Sequence, residues 1–241
     1  MGISIFTGAG TSNFPHEGSL LSATDIMNTT WEIATSLLIM PGGRDKPYHA
    51  ALKGEGCRRI RRFVENGGTY LGICAGAYFG AEHIEFEKGF PLEVLENREL
   101  MFFQGAAVGP AYGKGLFDYH SQKGARAAWL KTPQGPFHAY YNGGCTFEGD
   151  LSKVRILARY ADLPYKPPAI IECKVGNGKA ILSGVHLERA ADSFDRNDPY
   201  LTAIIPLLTA SESKRREFWQ LLTDKKRIRC VAGSRAKRGA G

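Results

Sequence analysis

The sequence of 241 residues has no long apolar run. The longest run, at 37–40 with its neighbours, ends at the Pro-Gly-Gly turn 41–43 and is far shorter than the roughly 18 residues of a membrane helix. The start of the chain has neither a basic segment nor a signal-peptide core. We therefore expect no membrane partner, no export and a cytoplasmic location.

Paired cysteines are also missing. Five cysteines, an odd number without a Cys-x-x-Cys spacing, argue against a disulfide framework and against a zinc site. We expect a reducing environment, no bound metal ion and no cofactor.

Acidic residues are absent from the end of the chain. Of 31 Lys and Arg residues, seven follow residue 224, so the first 224 positions carry 24 cations and 24 acids. The formal charge of +7 therefore belongs to a tail and does not indicate a nucleic-acid partner. We predict one domain over 1–224 and a basic, flexible, solubilising tail over 225–241. Weak polyanion binding by the tail is the less favoured alternative.

The patterns that are present are typical of an α/β fold. Apolar runs at 3–6 and 36–40 predict two strands, and apolar residues at helical spacing predict a helix between 54 and 66. A third apolar run, 69–73, follows at once. Strand, helix and strand joined by short links indicate a parallel sheet covered by helices.

The middle of the chain changes character, because short apolar runs alternate with Gly and Pro. These runs predict antiparallel strands added to the parallel core, at 92–95, 125–130, 137–141, 154–160 and 169–175. One more strand is predicted at 179–185, and helical spacing follows between 201 and 222. The interval 12–36 is short for a full crossover helix plus a strand. We expect a trimmed helix there, which would leave one face of the sheet open to a partner or a second copy of the chain.

Cys74 stands where the third apolar run meets a predicted helix. Gly72 and Gly76 flank it at positions minus two and plus two, which is the layout of a nucleophile elbow with cysteine in place of serine. Such a tight turn excludes larger neighbours and lifts the sulfur clear of the sheet. The backbone N–H of Ala75 then points at the group that the sulfur attacks, and a thiolate is stabilised there. The alternative is a buried, inert cysteine in a common five-residue pattern.

A thiol nucleophile needs a base, and His186 with Glu188 fits that need best. Both follow a predicted strand end, where residues two apart share a face. Strand ends of a parallel sheet gather at one edge, which is where the elbow places Cys74. The alternative is a surface His-x-Glu pair. The rival bases are His83, His120 and His138.

Further segments accompany the elbow between residue 3 and about 190. They are Phe6-Thr-Gly-Ala-Gly-Thr-Ser12, Leu37-Leu-Ile-Met-Pro-Gly-Gly-Arg-Asp45, Pro47-Tyr48, Gly54-Glu-Gly-Cys-Arg-Arg-Ile-Arg-Arg-Phe-Val64, Gly67-Gly-Thr-Tyr-Leu-Gly-Ile-Cys-Ala-Gly-Ala-Tyr78, Glu85-Phe-Glu87, Tyr140-Tyr-Asn-Gly-Gly144 and Gly184-Val-His-Leu-Glu188. Together they resemble the family of the N-terminal domain of biotin–protein ligases, within the class I glutamine amidotransferase-like superfamily. The resemblance covers roughly four fifths of the chain.

The resemblance implies a flavodoxin-like three-layer sandwich, with a mostly parallel central sheet plus added antiparallel strands. It also implies a catalytic triad of Cys74, His186 and Glu188. In that superfamily the thiolate attacks the side-chain amide of glutamine, forms a thioester, releases ammonia and is freed by hydrolysis. The oxyanion donors would be the backbone N–H groups of Gly43 and Ala75.

The resemblance also implies a pocket for a small-molecule amide. Its candidate lining residues are Gly42, Tyr78, Tyr140, Tyr141 and Asn142. The alternative is that 41–43 is an ordinary turn that ends a strand, and that the tyrosines are core aromatics beside a β-turn.

Leu187 departs from the family pattern, because superfamily members usually carry proline between the His and the Glu. A biotin ligase also needs an adenylate-forming domain, which these residues do not supply, so we expect no ligase activity from the chain alone. The leading hypothesis is an amide or thioester hydrolase that acts alone or delivers ammonia to a partner enzyme. The rivals are a non-catalytic regulatory or binding module related to biotin–protein ligase, and a peptidase-like hydrolase.

Overall fold

The computed structural model describes residues 2–9, 11 and 18–224. The predicted basic tail, 225–241, lies outside the described residues, as does part of the Gly-rich loop after the first strand. The division into a domain and a tail stays a prediction.

The described chain alternates strands and helices. The strands are β1 (Gly2–Phe6), β2 (Ser19–Leu21), β3 (Thr35–Met40), β4 (Thr69–Ile73), β5 (Ala81–Phe86), β6 (Val94–Asn97), β7 (Phe103–Gly109), β8 (Arg126–Thr132), β9 (Gly135–Tyr141), β10 (Thr146–Gly149), β11 (Val154–Tyr160), β12 (Pro168–Val175) and β13 (Gly178–Ser183). The α-helices are α1 (Ala23–Asn28), α2 (Trp31–Ala34), α3 (Asp45–Leu52), α4 (Glu55–Glu65), α5 (Ala75–Gly80) and α6 (Ile205–Thr223).

The main sheet has nine strands in the order β2-β1-β3-β4-β13-β12-β11-β8-β9. The first five are mutually parallel, and their order is the flavodoxin-like one. The remaining strands extend this sheet in antiparallel pairs. The predicted fold class, an α/β sandwich with antiparallel strands added to a parallel core, is confirmed.

The register of the parallel strands brings the ends of β3, β4 and β13 to one edge of the main sheet. Met40, at the end of β3, pairs with Gly72 of β4, and Ser183, at the end of β13, pairs with Ile73. The chain segments that leave β3, β4 and β13 therefore emerge side by side. These segments carry the Pro-Gly-Gly turn, the elbow cysteine and the His-x-Glu pair.

A second sheet of four strands, β10-β7-β5-β6, packs beside the first. The sequence analysis missed it: the strand predicted near 92–95 is β6, which belongs to this sheet and does not extend the main one. Two features concealed it. β7 is rich in Gly and Ala, which favour strands weakly, and β5 follows α5 directly, with no connecting loop between them.

The side chains of β3 alternate between two apolar cores. Leu38 and Met40 join the core formed with α3, α4, α5 and the second sheet. Leu37 and Ile39 join the core that contains Phe218 of α6. Burial of each such side chain contributes about 1.5 to 3 kcal/mol, so the sheet is stabilised from both sides.

Within 18–34, the described part of the interval before β3, the chain forms the short strand β2 and the short helices α1 and α2, so the helix there is trimmed as predicted. Ser22 caps α1, since its Oγ accepts a hydrogen bond from the Asp25 N–H at 3.1 Å. The open sheet face that we expected from this trimming is limited to the edge strand, where Leu20 of β2 is 66% exposed. Ile5 and Leu37 are buried, because α6 contributes Trp219 and its neighbours to the same core.

Within the described residues, no helix has the length and apolarity required to cross a membrane.

Candidate active site

Cys74 sits in a strained turn at the end of β4. Its backbone has φ 50° and ψ −104°, in the region that side chains rarely adopt, and its N–H donates to the Ser183 carbonyl at 2.8 Å. A Cβ at Gly72 would lie 2.3 Å from the carbonyl oxygen of Gly76, and a Cβ at Gly76 would lie 2.1 Å from that of Met40. Only glycine fits at either position, so the two glycines of the predicted elbow have a steric cause.

Two buried tyrosines brace the elbow, and the sequence analysis did not assign them this role. Tyr70 donates its hydroxyl to the Gly76 carbonyl at 2.7 Å. Tyr48, from α3, donates to the Gly42 carbonyl at 2.7 Å and so fixes the turn after β3. Burial raises the pKa of both hydroxyls, which keeps them protonated as donors.

His186 lies just beyond β13 and is held from two sides. Its backbone N–H donates to the Tyr140 carbonyl at 2.8 Å, and its Nδ1 lies 2.7 Å from Oε1 of Glu188. Both side chains are buried. The carboxylate therefore fixes the orientation of the ring and leaves the opposite nitrogen, Nε2, for another contact.

The side chain of Cys74 lies beside the imidazole of His186 and affects its pKa. Burial alone would lower the pKa of His186. The charge of Glu188, the hydrogen bond that Glu188 accepts from the ring, and the neighbouring Cys74 side chain outweigh burial and raise that pKa to about 10. The Cys74 Sγ lies 3.7 Å from the Asn142 carbonyl oxygen as well.

The rival histidines lie elsewhere among the described residues. His83 pairs with Asn97 on the second sheet at 2.8 Å, and His138 contacts Ser211 of α6 at 3.4 Å. Neither they nor His120 line the cavity above Cys74.

This cavity has a volume of about 370 Å³ and opens above the elbow. Its walls include seven residues predicted from the sequence: Gly43, Cys74, Ala75, Tyr78, Tyr140, Asn142 and His186. The Tyr78 hydroxyl donates to the Gly143 carbonyl at 3.1 Å, so its ring is fixed in the wall. Glu188 lies behind His186, where it contacts the ring and not the cavity.

Two predicted lining residues, Gly42 and Tyr141, do not reach the cavity. Gly42 is buried behind the turn, with its carbonyl bound to Tyr48. Tyr141 follows Tyr140 on β9, and successive strand residues point to opposite faces. Its hydroxyl therefore lies in the α6 core and donates to the Gly144 carbonyl at 3.0 Å.

Gly43 and Ala75 both line the cavity. Gly43 has φ 128°, which a side chain would disfavour, and it forms an isolated antiparallel bridge with Thr11. Ala75 is the first residue of α5, where a backbone N–H has no partner within the helix. Both positions suit N–H donors aimed at a developing negative charge.

The cavity also contains polar residues that the sequence analysis missed. Gln122 accepts hydrogen bonds from the Tyr140 hydroxyl and, at 3.3 Å, from the Asn142 amide. Arg189 also lines the cavity, with its guanidinium carbon over the Tyr140 ring, 5.7 Å from the ring centroid. The position of Arg189 directly after Glu188 was a usable signal, whereas Gln122 lies in a loop without periodicity.

An aromatic wall, formed by Tyr78, Phe86, Phe117 and Tyr119, closes the cavity on the side of the second sheet. Neighbouring rings along this wall have centroids 5.6, 5.4 and 4.8 Å apart. Edge-to-face contacts of this kind hold the rings rigidly, so the cavity joins an apolar wall to a polar one.

Comparison with known structures first gives the class of protein. A chain of PurLQS from Thermotoga maritima superposes with a TM-score of 0.55 over 91% of this chain and 96% of that chain, at 17% sequence identity. A crystal structure of a glutamine amidotransferase superposes with a TM-score of 0.49 over 78% of this chain and 79% of that chain, at 24% identity. The superposition on the PurLQS chain shows that the two proteins share a fold. By its class, this chain is an α/β protein of flavodoxin-like topology.

Comparison of sequences then gives the family. The family profile described as "Biotin-protein ligase, N terminal" matches residues 18–238, so the chain belongs to this family, as its motifs predicted. An uncharacterized protein of Chlamydia muridarum is 48% identical over 162 residues, which cover 66% of this chain and 62% of that protein. The biotin–protein ligase of Schizosaccharomyces pombe is 38% identical over 181 residues, which cover 71% of this chain and 28% of the ligase. The chain therefore spans less than two thirds of either relative.

Proposed function

We propose that the protein is a cysteine-dependent amide or thioester hydrolase of the glutamine amidotransferase type. One observation carries the proposal: His186 touches both Glu188 and Cys74 at the rim of a single cavity. A base oriented by a carboxylate and hydrogen-bonded to a thiol is the arrangement that activates a cysteine nucleophile.

In the proposed reaction His186 takes the proton of Cys74, and the thiolate attacks the carbonyl carbon of an amide. A C–S bond forms, and the carbonyl electrons move to oxygen. The imidazolium then protonates the departing nitrogen, which leaves as ammonia and gives a thioester. Water, deprotonated by His186, breaks the thioester to release a carboxylic acid and the thiol.

The backbone N–H groups of Gly43 and Ala75 are the proposed donors to the tetrahedral oxyanion. Neither group needs to reorganise during the reaction, because the Gly43 turn is fixed by Tyr48 and Ala75 begins a helix. One such donor is typically worth about 10²- to 10³-fold in rate.

The absence of proline before Glu188 does not weaken the proposal. Arg215 of α6 donates from Nη1 to the Leu187 carbonyl, and this buried guanidinium is itself paired with Glu212, with Nε 3.1 Å from Oε2. A buried, charged donor restrains the backbone at Leu187 by a hydrogen bond, where proline would restrain it by its ring.

Ammonia release from L-glutamine by the full-length chain tests the proposal. We expect turnover that Cys74→Ser abolishes and that His186→Ala lowers by at least about 10²-fold, since a positioned general base contributes 10² to 10⁴. Cys173→Ser, a change at a buried thiol remote from the cavity, is the matched control and should retain turnover. Turnover that survives Cys74→Ser would exclude the proposed nucleophile.

A second candidate function is a regulatory or binding module that acts beside a biotin–protein ligase. The 38% identity to the Schizosaccharomyces pombe ligase over 28% of its length supports it. In that case the pure protein would release no ammonia, and Cys74→Ser would leave binding to a ligase domain unchanged. A partner enzyme that receives ammonia, a homodimer and a cytoplasmic location stay predictions.

A further inference from the structure

The cavity above Cys74 contains two arginines, Arg44 and Arg189. Over residues 2–9, 11 and 18–224, neither guanidinium has a carboxylate within ion-pair distance, although both contact aromatic rings. A cation without an acidic partner in a cavity favours an anionic ligand.

The acids that line the cavity are already engaged. Asp45 lies 2.6 Å from Nη2 of Arg98, a buried guanidinium outside the cavity. Asp118 accepts from the His120 N–H at 2.9 Å and from the Ser121 hydroxyl at 3.0 Å. Neither acid lies within ion-pair distance of Arg44 or Arg189.

Arg189 is better placed than Arg44 to meet a substrate. It is half-buried, and its guanidinium carbon lies 4.9 Å from the Phe194 ring centroid and 5.7 Å from that of Tyr140. These rings fix the plane of the guanidinium at little further cost in side-chain entropy. Arg44 is exposed and stacks on Tyr119 at the opposite wall, 4.1 Å from its centroid.

Arg189 and His186 share a neighbour, which bounds the distance between them. The His186 ring centroid lies 5.5 Å from the Tyr140 ring centroid, and the Arg189 guanidinium carbon lies 5.7 Å from it, so the two groups are within about 11 Å of each other. About 11 Å is an upper limit, and hydrogen-bond contacts of about 3 Å at each end take up more than half of it. The few bonds of a short dicarboxylic acid, each of which adds little more than 1 Å, bridge the rest. One small molecule can therefore reach both the thiol side of His186 and Arg189.

We propose that the guanidinium of Arg189 binds a carboxylate of the substrate, so that the protein acts on amides of short dicarboxylic acids whose second carboxyl group is free. The inference rests on the proposed function for the reaction that the bound amide undergoes. The planar guanidinium matches a carboxylate through two parallel hydrogen bonds, and a neutral amide cannot form this pair.

Calorimetric titration of the full-length Cys74→Ser protein with two isosteric probes tests this subsite without any turnover. Glutaramate carries one amide and one carboxylate, and glutaramide carries two amides. We expect glutaramate to bind at least about tenfold more tightly, and Arg189→Gln to reduce this ratio to near one. Arg44→Gln removes the same charge from the opposite wall and is the matched control, so the ratio should persist.

Each other outcome overturns the subsite. Equal affinities, a preference that survives Arg189→Gln, or no binding of either probe would all do so. Arg189→Lys serves if the Gln variant does not fold. It keeps the charge but loses the two parallel hydrogen bonds, so glutaramate should bind at least about threefold more weakly, and an unchanged affinity contradicts the proposal.

The two proposals fail in different ways. A preference for glutaramate without ammonia release from any amide would reject the hydrolase and keep the anion subsite. Ammonia release from glutamine without an effect of Arg189→Gln on probe affinity would keep the hydrolase and reject the subsite.

Discussion

The elbow and the protein interior hold cysteines with similar exposure and different surroundings. Cys74 is 7% exposed, while Cys57, Cys145 and Cys173 are 0 to 3% exposed. Burial raises the pKa of Cys57 and of Cys173 to about 12, and that of Cys145 still further. None of these three lines the cavity of His186.

The comparison shows that neighbours, and not exposure, distinguish a candidate nucleophile from an inert thiol. Cys57 lies in α4 against an apolar core, where Glu99 also disfavours its thiolate. Cys74 lies at the carboxyl end of a parallel strand, where a helix begins and an imidazole reaches it. A protonated imidazole favours a thiolate, whereas an apolar core penalises one.

Alkylation by iodoacetamide at pH 7 gives the largest expected contrast. A thiol with a pKa of about 12 is only about one part in 10⁵ ionised at this pH, so Cys57 and Cys173 should react at least about 10³-fold more slowly than Cys74. Peptide mass spectrometry over a time course measures each site. His186→Ala should slow Cys74 alone.

Cys230 lies outside the described residues and is replaced by serine in every sample. His138→Ala, a change at a histidine remote from the cavity, is the matched control and should leave Cys74 labelling unchanged. Equal labelling of Cys74 and Cys57 in the folded protein would remove the distinction between the two regions.

The backbone of the elbow provides the next largest effect. Alanine at Gly76 would gain about 1 kcal/mol from helix propensity, but its Cβ would lie 2.1 Å from the Met40 carbonyl oxygen. The clash should dominate, and we expect Gly76→Ala to lower the free energy of unfolding by about 3 kcal/mol or more in urea titration. Gly2→Ala, whose Cβ would lie 3.8 Å from the nearest atom, should change it by less than about 0.5 kcal/mol. A tolerated Gly76→Ala would contradict the steric origin of the elbow.

The parts of the site that follow strand ends were predictable from sequence. Gly72, Cys74 and Gly76 form a local pattern with a steric cause, and the flavodoxin-like order brings His186 to the same sheet edge. No long-range information was needed beyond the fold class.

The parts of the site that depend on the direction of a side chain, on a distant helix or on a loop could not be predicted from the sequence. Tyr141 does not line the cavity because it lies on β9 next to Tyr140, and successive side chains of a strand point to opposite faces. This direction could be predicted only if the end of the strand was known. Arg215 lies on α6, 28 residues beyond the Leu187 carbonyl that it binds, and no spacing rule joins them. Gln122 comes from a loop whose path is set by tertiary packing.

The proton on His186 gives a smaller, pH-dependent effect. The pKa of this imidazole rises from about 6.5 in the unfolded chain to about 10 in the folded protein. The folded state therefore holds a proton that the unfolded chain releases, so the stabilisation is full below about pH 6.5 and is lost as pH rises through about 10.

Cys74→Ser is the reference protein here, because a thiol that gave its proton to His186 would leave the proton count of the pair unchanged. Between pH 6.5 and 8.5 its free energy of unfolding should fall with pH more steeply than that of Cys74→Ser/His186→Gln, by up to about 1.4 kcal/mol per unit. Urea titrations at fixed ionic strength measure both slopes. Parallel slopes would mean that His186 is not the protonated partner of Glu188.

Arg215 gives the smallest effect, and it tests whether the elbow region depends on a distant helix. Arg215→Gln removes the donor to the Leu187 carbonyl, so Glu188 and His186 should be held less firmly. We expect alkylation of Cys74 to slow by about tenfold and unfolding to become easier by about 1 to 2 kcal/mol. Arg216→Gln is the matched control, since this neighbour is exposed and lies 3.9 Å from the same Glu212, and it should change neither quantity measurably. If Arg215→Gln lowers stability but leaves the alkylation rate unchanged, Arg215 supports the fold without positioning the His-x-Glu pair.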